Sequence, residues 1–275
     1  MARPLLTIDG DNFAHRAFHA LPKTIRRADG SPAGAIVGFA NLLLQFYERE
    51  QPAAVVVGWD TLGVPNFRQR LFPPYQTGRV FDPAIIEQLA AIPLFVAACG
   101  FANARAAGYE ADDFLAAAAA HGAQRDGATL VASGDRDAFQ LASAATTILH
   151  PVKAGEIARI GPAEVRERYG VEPHQVPDFI ALRGDPSDKL PGARGVGAKT
   201  AAHLLCRHGD LEAVLATGRF ADQADDLRLF KRIATMDAGA PLPSLSGQAP
   251  TWDKAAILAR DWGLRQLAAR LAGLA

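Results

Sequence analysis

Three short apolar runs punctuate the first half of the chain: LLTI at 5–8, AAVVVGW at 53–59 and ATLVAS at 128–133. Short apolar runs with β-branched residues and no polar alternation predict strands covered on both faces. TTILHPV, 146–152, is a further candidate strand. Between the runs the apolar spacing takes the helical period, over 35–50, 81–100 and 112–121. Pro93 and Gly100 interrupt the apolar stretch from 89 to 104. Phe114 and Leu115 precede the alanine run 116–120 and are expected to anchor that helix to the core. Strands alternating with helices predict an α/β fold with a mostly parallel central sheet covered by helices.

From about residue 175 no strand pattern remains. PSDKLPGARGVG holds too many Gly and Pro to be helical, whereas AKTAAHLL begins a helix cleanly. Further helices are predicted at 224–236 and, after APLPSLSGQAP, at 251–274. The expected division is a core over 1–174 and a helical region over 175–275.

The apolar fraction is 49% and the charged fraction 21%, which fits a globular protein and no fibrous or disordered class. The apolar run near the N-terminus ends at Ile8, so no signal peptide is expected, and no window predicts a membrane span. Cys99 and Cys206 lack any CxxC spacing, which suits a reducing compartment and no cysteine metal site.

The chemistry lies in the acids. Asp9 follows the first run, Asp60 the second, and Gly134-Asp135-Arg136-Asp137 the third. Sites of open α/β sheets lie beyond the carboxyl ends of the strands, so these acids are expected on one edge. GYEADD puts Glu110, Asp112 and Asp113 at a helix start, and GDPSD adds Asp185 and Asp188, which could share one face of a turn. One acid at a helix start is ordinary capping, but three repel one another. Nine carboxylates without histidine or cysteine favour Mg²⁺ or Mn²⁺ over zinc, two ions rather than one, and raised pKa values without metal. The chain has 29 basic and 29 acidic side chains; setting the nine aside leaves 29 against 20, a surface able to attract nucleic acid.

Two further segments bear on such a partner. In GVGAKTAAHLL and the residues before it, Gly192, Gly195 and Gly197 allow close backbone approach ahead of a helix N-terminus, where Arg194, Lys199 and Thr200 can meet phosphate. Between 61 and 81, Arg68, Arg70 and Arg79 interleave with Phe67, Phe72 and Tyr75, which suits a single strand.

In order and spacing, IDGDNFAHRAFHALP, GWD, FRQRLFPPYQTGR, GYEADD, SGDRDAFQL and DFIALRGDPSDKLPGARGVGAKTA resemble the 5′ nuclease (flap endonuclease) superfamily, in particular the bacterial 5′→3′ exonuclease domain of DNA polymerase I. The resemblance covers nearly the whole chain. It implies a PIN-like nuclease core, a helical arch at about 61–90 and a helix-hairpin-helix grip on duplex DNA, with K⁺ at the glycine hairpin. It implies one divalent ion on Asp9, Asp60, Glu110 and Asp112, and a second held or supported by Asp113, Asp135, Asp137, Asp185 and Asp188. Arg16 and Arg79 match basic residues near the scissile phosphate, so both are candidate catalytic residues. Arg68, Arg70 and Tyr75 join the hairpin residues as candidate DNA contacts. The implied activity is 5′→3′ exonuclease and 5′-flap endonuclease action in replication or repair, leaving 5′-phosphates. The implied setting is a cytoplasmic, nucleoid-associated monomer acting on DNA with a 5′ single-stranded end or flap. A DNA polymerase is a candidate partner, whether the nuclease stands alone or is an excised polymerase domain. The sequence departs from the family pattern at His15 (usually tyrosine), Gln76 (usually lysine) and Lys189 (commonly asparagine). Competing readings are a non-catalytic DNA-binding relative, a PIN-type ribonuclease and a haloacid dehalogenase-type phosphatase with Asp9 as nucleophile and Asp11 as acid. The last two leave most of the acids or the glycine hairpin unexplained.

Overall fold

A computed structural model describes residues 3–152 and 155–275. The chain runs β1 (Leu5–Asp9), α1 (Gly10–Ala20), α2 (Gly34–Glu50), β2 (Ala54–Gly58), α3 (Phe67–Leu71), α4 (Pro83–Ala98), β3 (Ala102–Ala104), α5 (Ala111–Ala123), β4 (Thr129–Ala132), β5 (Thr146–Pro151) and β6 (Ile157–Ile160). Then follow α6 (Pro162–Tyr169), α7 (Val176–Arg183), α8 (Ala198–His208), α9 (Leu211–Ala216), α10 (Ala224–Ala234), α11 (Trp252–Asp261) and α12 (Arg265–Ala272).

The sheet order is β3-β2-β1-β4-β5-β6. All pairings are parallel except β5 with β6. The expected strands and the mostly parallel sheet are therefore present. β3 and β6 were not anticipated: β3 has three residues, and β6 (IARI) carries a charge, so neither shows a buried-strand run.

Alternate side chains of each strand enter opposite cores, as the two-residue period requires. Leu6, Ile8, Val55, Val57 and Leu149 pack with α1, α2 and α4. Val131 and Ile148 pack with Leu115, Phe179, Leu204 and Phe230 on the other side. Phe114 and Leu115 are fully buried, as expected of anchors. Trp252, Ala255, Leu267 and Leu271 join the first core, so the C-terminal helices return to the N-terminal half. The expected boundary at 174/175 does not coincide with a gap in packing.

The helix expected over 81–100 is present: α4 runs through Pro93 to Ala98, and Gly100, at φ 84°, follows its end. Asn103 donates Nδ2–H to the Pro93 carbonyl at 2.9 Å. The single helix expected over 251–274 is two, because Gly263 at φ 75° reverses the chain beside Ala28. No helix among the described residues is long and apolar enough to cross a membrane.

A carboxylate-lined candidate metal centre

Parallel strands end on one edge, and that edge collects the acids. Asp9 closes β1 and caps α1: its Oδ1 accepts Asn12 N–H at 2.9 Å. Its Oδ2 accepts the Ser133 hydroxyl at 2.9 Å, and the Ser133 oxygen in turn accepts Asp135 N–H at 3.0 Å. The turn after β4 is thus tied to the end of β1. Asp60 Oδ1 accepts Ala111 N–H at 2.8 Å, which fixes the first turn of α5 to the end of β2. Gly58 makes this approach possible, since a Cβ there would lie 2.7 Å from the Ala111 carbonyl oxygen. Glu110 and Asp112 are thereby delivered to the same edge.

Asp9, Asp60, Glu110, Asp112, Asp135, Asp137 and Asp188 line one cavity of about 1050 Å³, together with Arg16, Tyr75, Gln76 and Arg79. Burial and mutual repulsion act on these carboxylates together. Burial, and then Asp60, push Asp9 up to about 7 against the pull of the Asn12 N–H. Burial pushes Glu110 up to about 7 despite Arg68 beside it. Burial drives Asp112 and Asp137 well above the carboxylate range, with Asp9 and Asp135 respectively adding most repulsion. Burial also raises Asp60 and Asp188.

Among the described residues no three His, Cys, Asp or Glu side chains converge as a preformed metal-ligand set. Repulsion between acids without counter-charge favours such separation. The donors nonetheless fit a hard divalent cation. They are carboxylate oxygens, and Asp112 Oδ1 is buried without a hydrogen-bond partner.

Several expected positions are corrected. Asp113 lies outside the cavity, fully buried. Its Oδ1 and Oδ2 accept Arg68 Nη2–H and Nη1–H at 2.7 and 2.9 Å, and also Asp237 and Glu110 backbone N–H. Those bonds occupy the lone pairs a metal would need. Arg68, only 3% exposed, stands in the cavity wall with its guanidinium taken up by Asp113 and Glu110. Tyr75, 4% exposed, lines the cavity, and its hydroxyl donates to Glu110 Oε2 at 3.1 Å. Phe72 packs against Phe230, and the Arg68 guanidinium lies over Phe67. Within 61–90, α3 packs on α10 and is tied to the start of α5 by Arg68, exposed turns follow at 77–80, and α4 begins at Pro83. Burial there does not follow residue type: Arg68 and Tyr75 are buried, Phe67 and Phe72 half-buried, and Arg70 and Arg79 exposed.

Asp185 and Asp188 both lie near enough to Asp137 to raise its value, but only Asp188 lines the cavity. Asp185 turns into its own loop, bonding Ser187 and Arg183, while Asp188 Oδ1 accepts Gln76 Nε2–H at 3.0 Å and Arg79 Nη2–H at 3.1 Å. Arg70 is exposed beside Gly108. In the glycine hairpin, Leu190, Ala193 and Val196 face the core, whereas Arg194, Gly195, Gly197 and Lys199 are exposed and Thr200 half-buried. Gly192 is buried instead. Its Cβ would sit 2.4 Å from Gly184 N, at φ 74°, so it serves the turn and not a ligand. Arg194 also pairs with Asp222.

Asn12, Ser133 and Asp11 were not foreseen as site residues of this cluster. Asn12 Oδ1 accepts Gly134 N–H at 3.1 Å, and Asp11 Oδ2 accepts Asp60 N–H at 2.8 Å. Both lie in the IDGDN segment, but their partners lie on other strands, which only the folded sheet brings near. His15 lines the cavity with its ring 5.2 Å from that of Phe81.

The family description "5'-3' exonuclease, N-terminal resolvase-like domain" matches residues 4–170, and "5'-3' exonuclease, C-terminal SAM fold" matches 171–251. The chain belongs to the 5'-3' exonuclease family. It is similar to a 5'-3' exonuclease of Mycobacterium tuberculosis, 35% identical over 237 residues that cover 78% of this chain and 74% of that protein. It is also similar to DNA polymerase I of the same organism, 38% identical over 218 residues. That match covers 78% of this chain but 24% of the polymerase, so the chain spans about a quarter of such relatives. A solved structure of T5 5'-exonuclease with zinc ions bound shares the fold, with a TM-score of 0.69 at 16% identity over 98% of both chains. The 5'-3' exonuclease fold thus spans both halves of the chain, the hairpin included.

Proposed function

We propose that the chain is a divalent-cation-dependent 5′→3′ exonuclease and structure-selective 5′-flap endonuclease that cleaves DNA and leaves 5′-phosphates, in replication or repair. Asp112 carries the assignment. Its buried Oδ1 lacks any hydrogen-bond partner, and it is surrounded by Asp9, Asp135, Glu110 and Asp60. A buried carboxylate in that company is ionised at neutral pH only with a cation beside it. Asp9, Asp60, Glu110 and Asp112 would hold one Mg²⁺ or Mn²⁺, and Asp135, Asp137 and Asp188 a second, with Asp185 shaping the loop.

Bound there, divalent cations supply charge neutralisation at the attacking and leaving oxygens of an in-line displacement. The protein's own part is placement. Asp60 ties the end of β2 to the starts of α1 and α5, and Ser133 ties the end of β4 to that of β1, so the acids sit on a rigid edge. Arg16 and Arg79 line the same cavity and can meet phosphate charge. The exposed N-terminus of α8, with Gly197 as cap and Lys199 in its first turn, offers N–H groups and a positive charge to a DNA backbone, with K⁺ as a bridging ion. DNA with a 5′ single-stranded end or flap is the proposed partner, bound by a cytoplasmic, nucleoid-associated monomer. Similarity to DNA polymerase I supports a polymerase as neighbour in the same chain or in a complex.

The test is cleavage of a 5′-labelled flap duplex with Mg²⁺, with chelator, and with Asp135→Ala. Mg²⁺-dependent cutting that the variant loses, with DNA binding retained, is expected. Equal cutting by Asp135→Ala would sink the assignment.

A further inference from the structure

Gln76 has a left-handed backbone, φ 53°, unfavourable for a residue with a Cβ. Its amide nitrogen is fully engaged. Nε2 donates to the Tyr75 hydroxyl at 2.8 Å and to Asp188 Oδ1 at 3.0 Å. The Tyr75 hydroxyl donates onward to Glu110 Oε2 at 3.1 Å. An unbroken chain of hydrogen bonds therefore runs Glu110, Tyr75, Gln76, Asp188. Its ends belong to unrelated elements, the start of α5 and the loop after α7. Arg79 also reaches Asp188, but from an exposed side chain, while Tyr75 is buried and anchors the chain from the core.

We propose that Gln76 is a positioning residue which, through Tyr75, sets the separation of Glu110 and Asp188 across the cavity and thereby the affinity of the site for divalent cations. This rests on the cation-binding reading above. Both amide hydrogens are committed within the protein, so none remains for a phosphate oxygen. A lysine here would place a positive charge among the acids and compete with a cation. The neutral amide ties the two carboxylates without that competition.

The test is calorimetric titration of the full chain with Mn²⁺, beside flap cleavage at saturating Mn²⁺. Gln76→Leu keeps the bulk and removes both donors. It should weaken Mn²⁺ binding about five- to tenfold. Tyr75→Phe should do much the same, and the double variant little more than either, because both break one chain. Cleavage at saturating Mn²⁺ should return to within about twofold of the parent. Should the leucine lower thermal stability, Gln76→Asn, which keeps an amide too short to span both partners, serves as the second variant. Unchanged Mn²⁺ affinity with a lost saturated rate would overturn the proposal and place Gln76 on the substrate. Unchanged affinity and rate would also overturn it, leaving the cation reading intact. A parent chain that binds no Mn²⁺ would remove the cation reading and this proposal together.

Discussion

Arg68 and Asp113 form a two-pronged ion pair, Nη2 to Oδ1 at 2.7 Å and Nη1 to Oδ2 at 2.9 Å, with side chains 4% and 0% exposed. The same guanidinium donates Nε–H to the Ile233 carbonyl at 2.8 Å and Nη1–H to Glu110 at 2.9 Å. One side chain therefore joins α3, the start of α5 and the end of α10. Removing it leaves Asp113 buried without its counter-charge. Arg68→Ala should cost about 3–5 kcal/mol of stability, read as a fall in thermal midpoint. A variant that unfolds like the parent but binds DNA poorly would show instead that Arg68 serves the ligand.

The acids make stability depend on pH in a definite sense. Asp9 and Glu110 have ordinary values of 3.8 and 4.5 and are raised to about 7 in the fold. Between those limits the native state binds more protons than the unfolded chain, so stability falls as pH rises from about 4 to about 7. His15 and His150, whose values burial lowers, oppose this. The difference between chelator and Mg²⁺ isolates the acids. Mg²⁺ should raise the thermal midpoint by roughly 5 °C at about pH 7.5 and by much less at about pH 5.5. An equal rise at both values would contradict the coupling.

The hairpin glycines should separate into two kinds. A Cβ on Gly192 would collide with the Gly184 backbone, whereas one on Gly197 meets nothing within 4 Å, and Gly197 has an ordinary negative φ. Gly192→Ala should therefore destabilise by about 3 kcal/mol or more. Gly197→Ala should fold like the parent but bind duplex DNA more weakly, as fluorescence anisotropy would report. Full binding by Gly197→Ala would remove that face from the proposed DNA contact.

Lys199 offers a simpler charge test. It is exposed at the start of α8 and has no carboxylate partner among the described residues. If it neutralises one phosphate, Lys199→Ala should reduce the slope of log affinity against log salt by about one. Arg194, already paired with Asp222, should give a smaller change. An unaltered slope for Lys199→Ala would place the DNA elsewhere.

The acids were legible in sequence because three strands announce their ends. An apolar run followed by Asp9, Asp60 or the pair Asp135 and Asp137 places those residues on one edge once the sheet is parallel. Arg68 and Asp113 were misread for one reason. A charged or aromatic residue beside a functional motif looks like a ligand contact until its depth is known, and for Arg68 and Asp113 that depth depends on Ile233 and Asp237, over a hundred residues away.

By itself, then, the sequence determined what is local and periodic: four of the six strands, most helices, the hairpin, and a supply of carboxylates at strand ends and a helix start. Motif order also marked the family. Tertiary structure alone decided which acids face the cavity. Asp113 and Asp188 are both aspartates beside functional motifs, yet one is sealed under Arg68 and the other is held at the cavity by Gln76 and Arg79. That choice is made by partners remote in the chain, because a buried charge settles where a counter-charge and donors reach it, and sequence spacing carries no record of that distance.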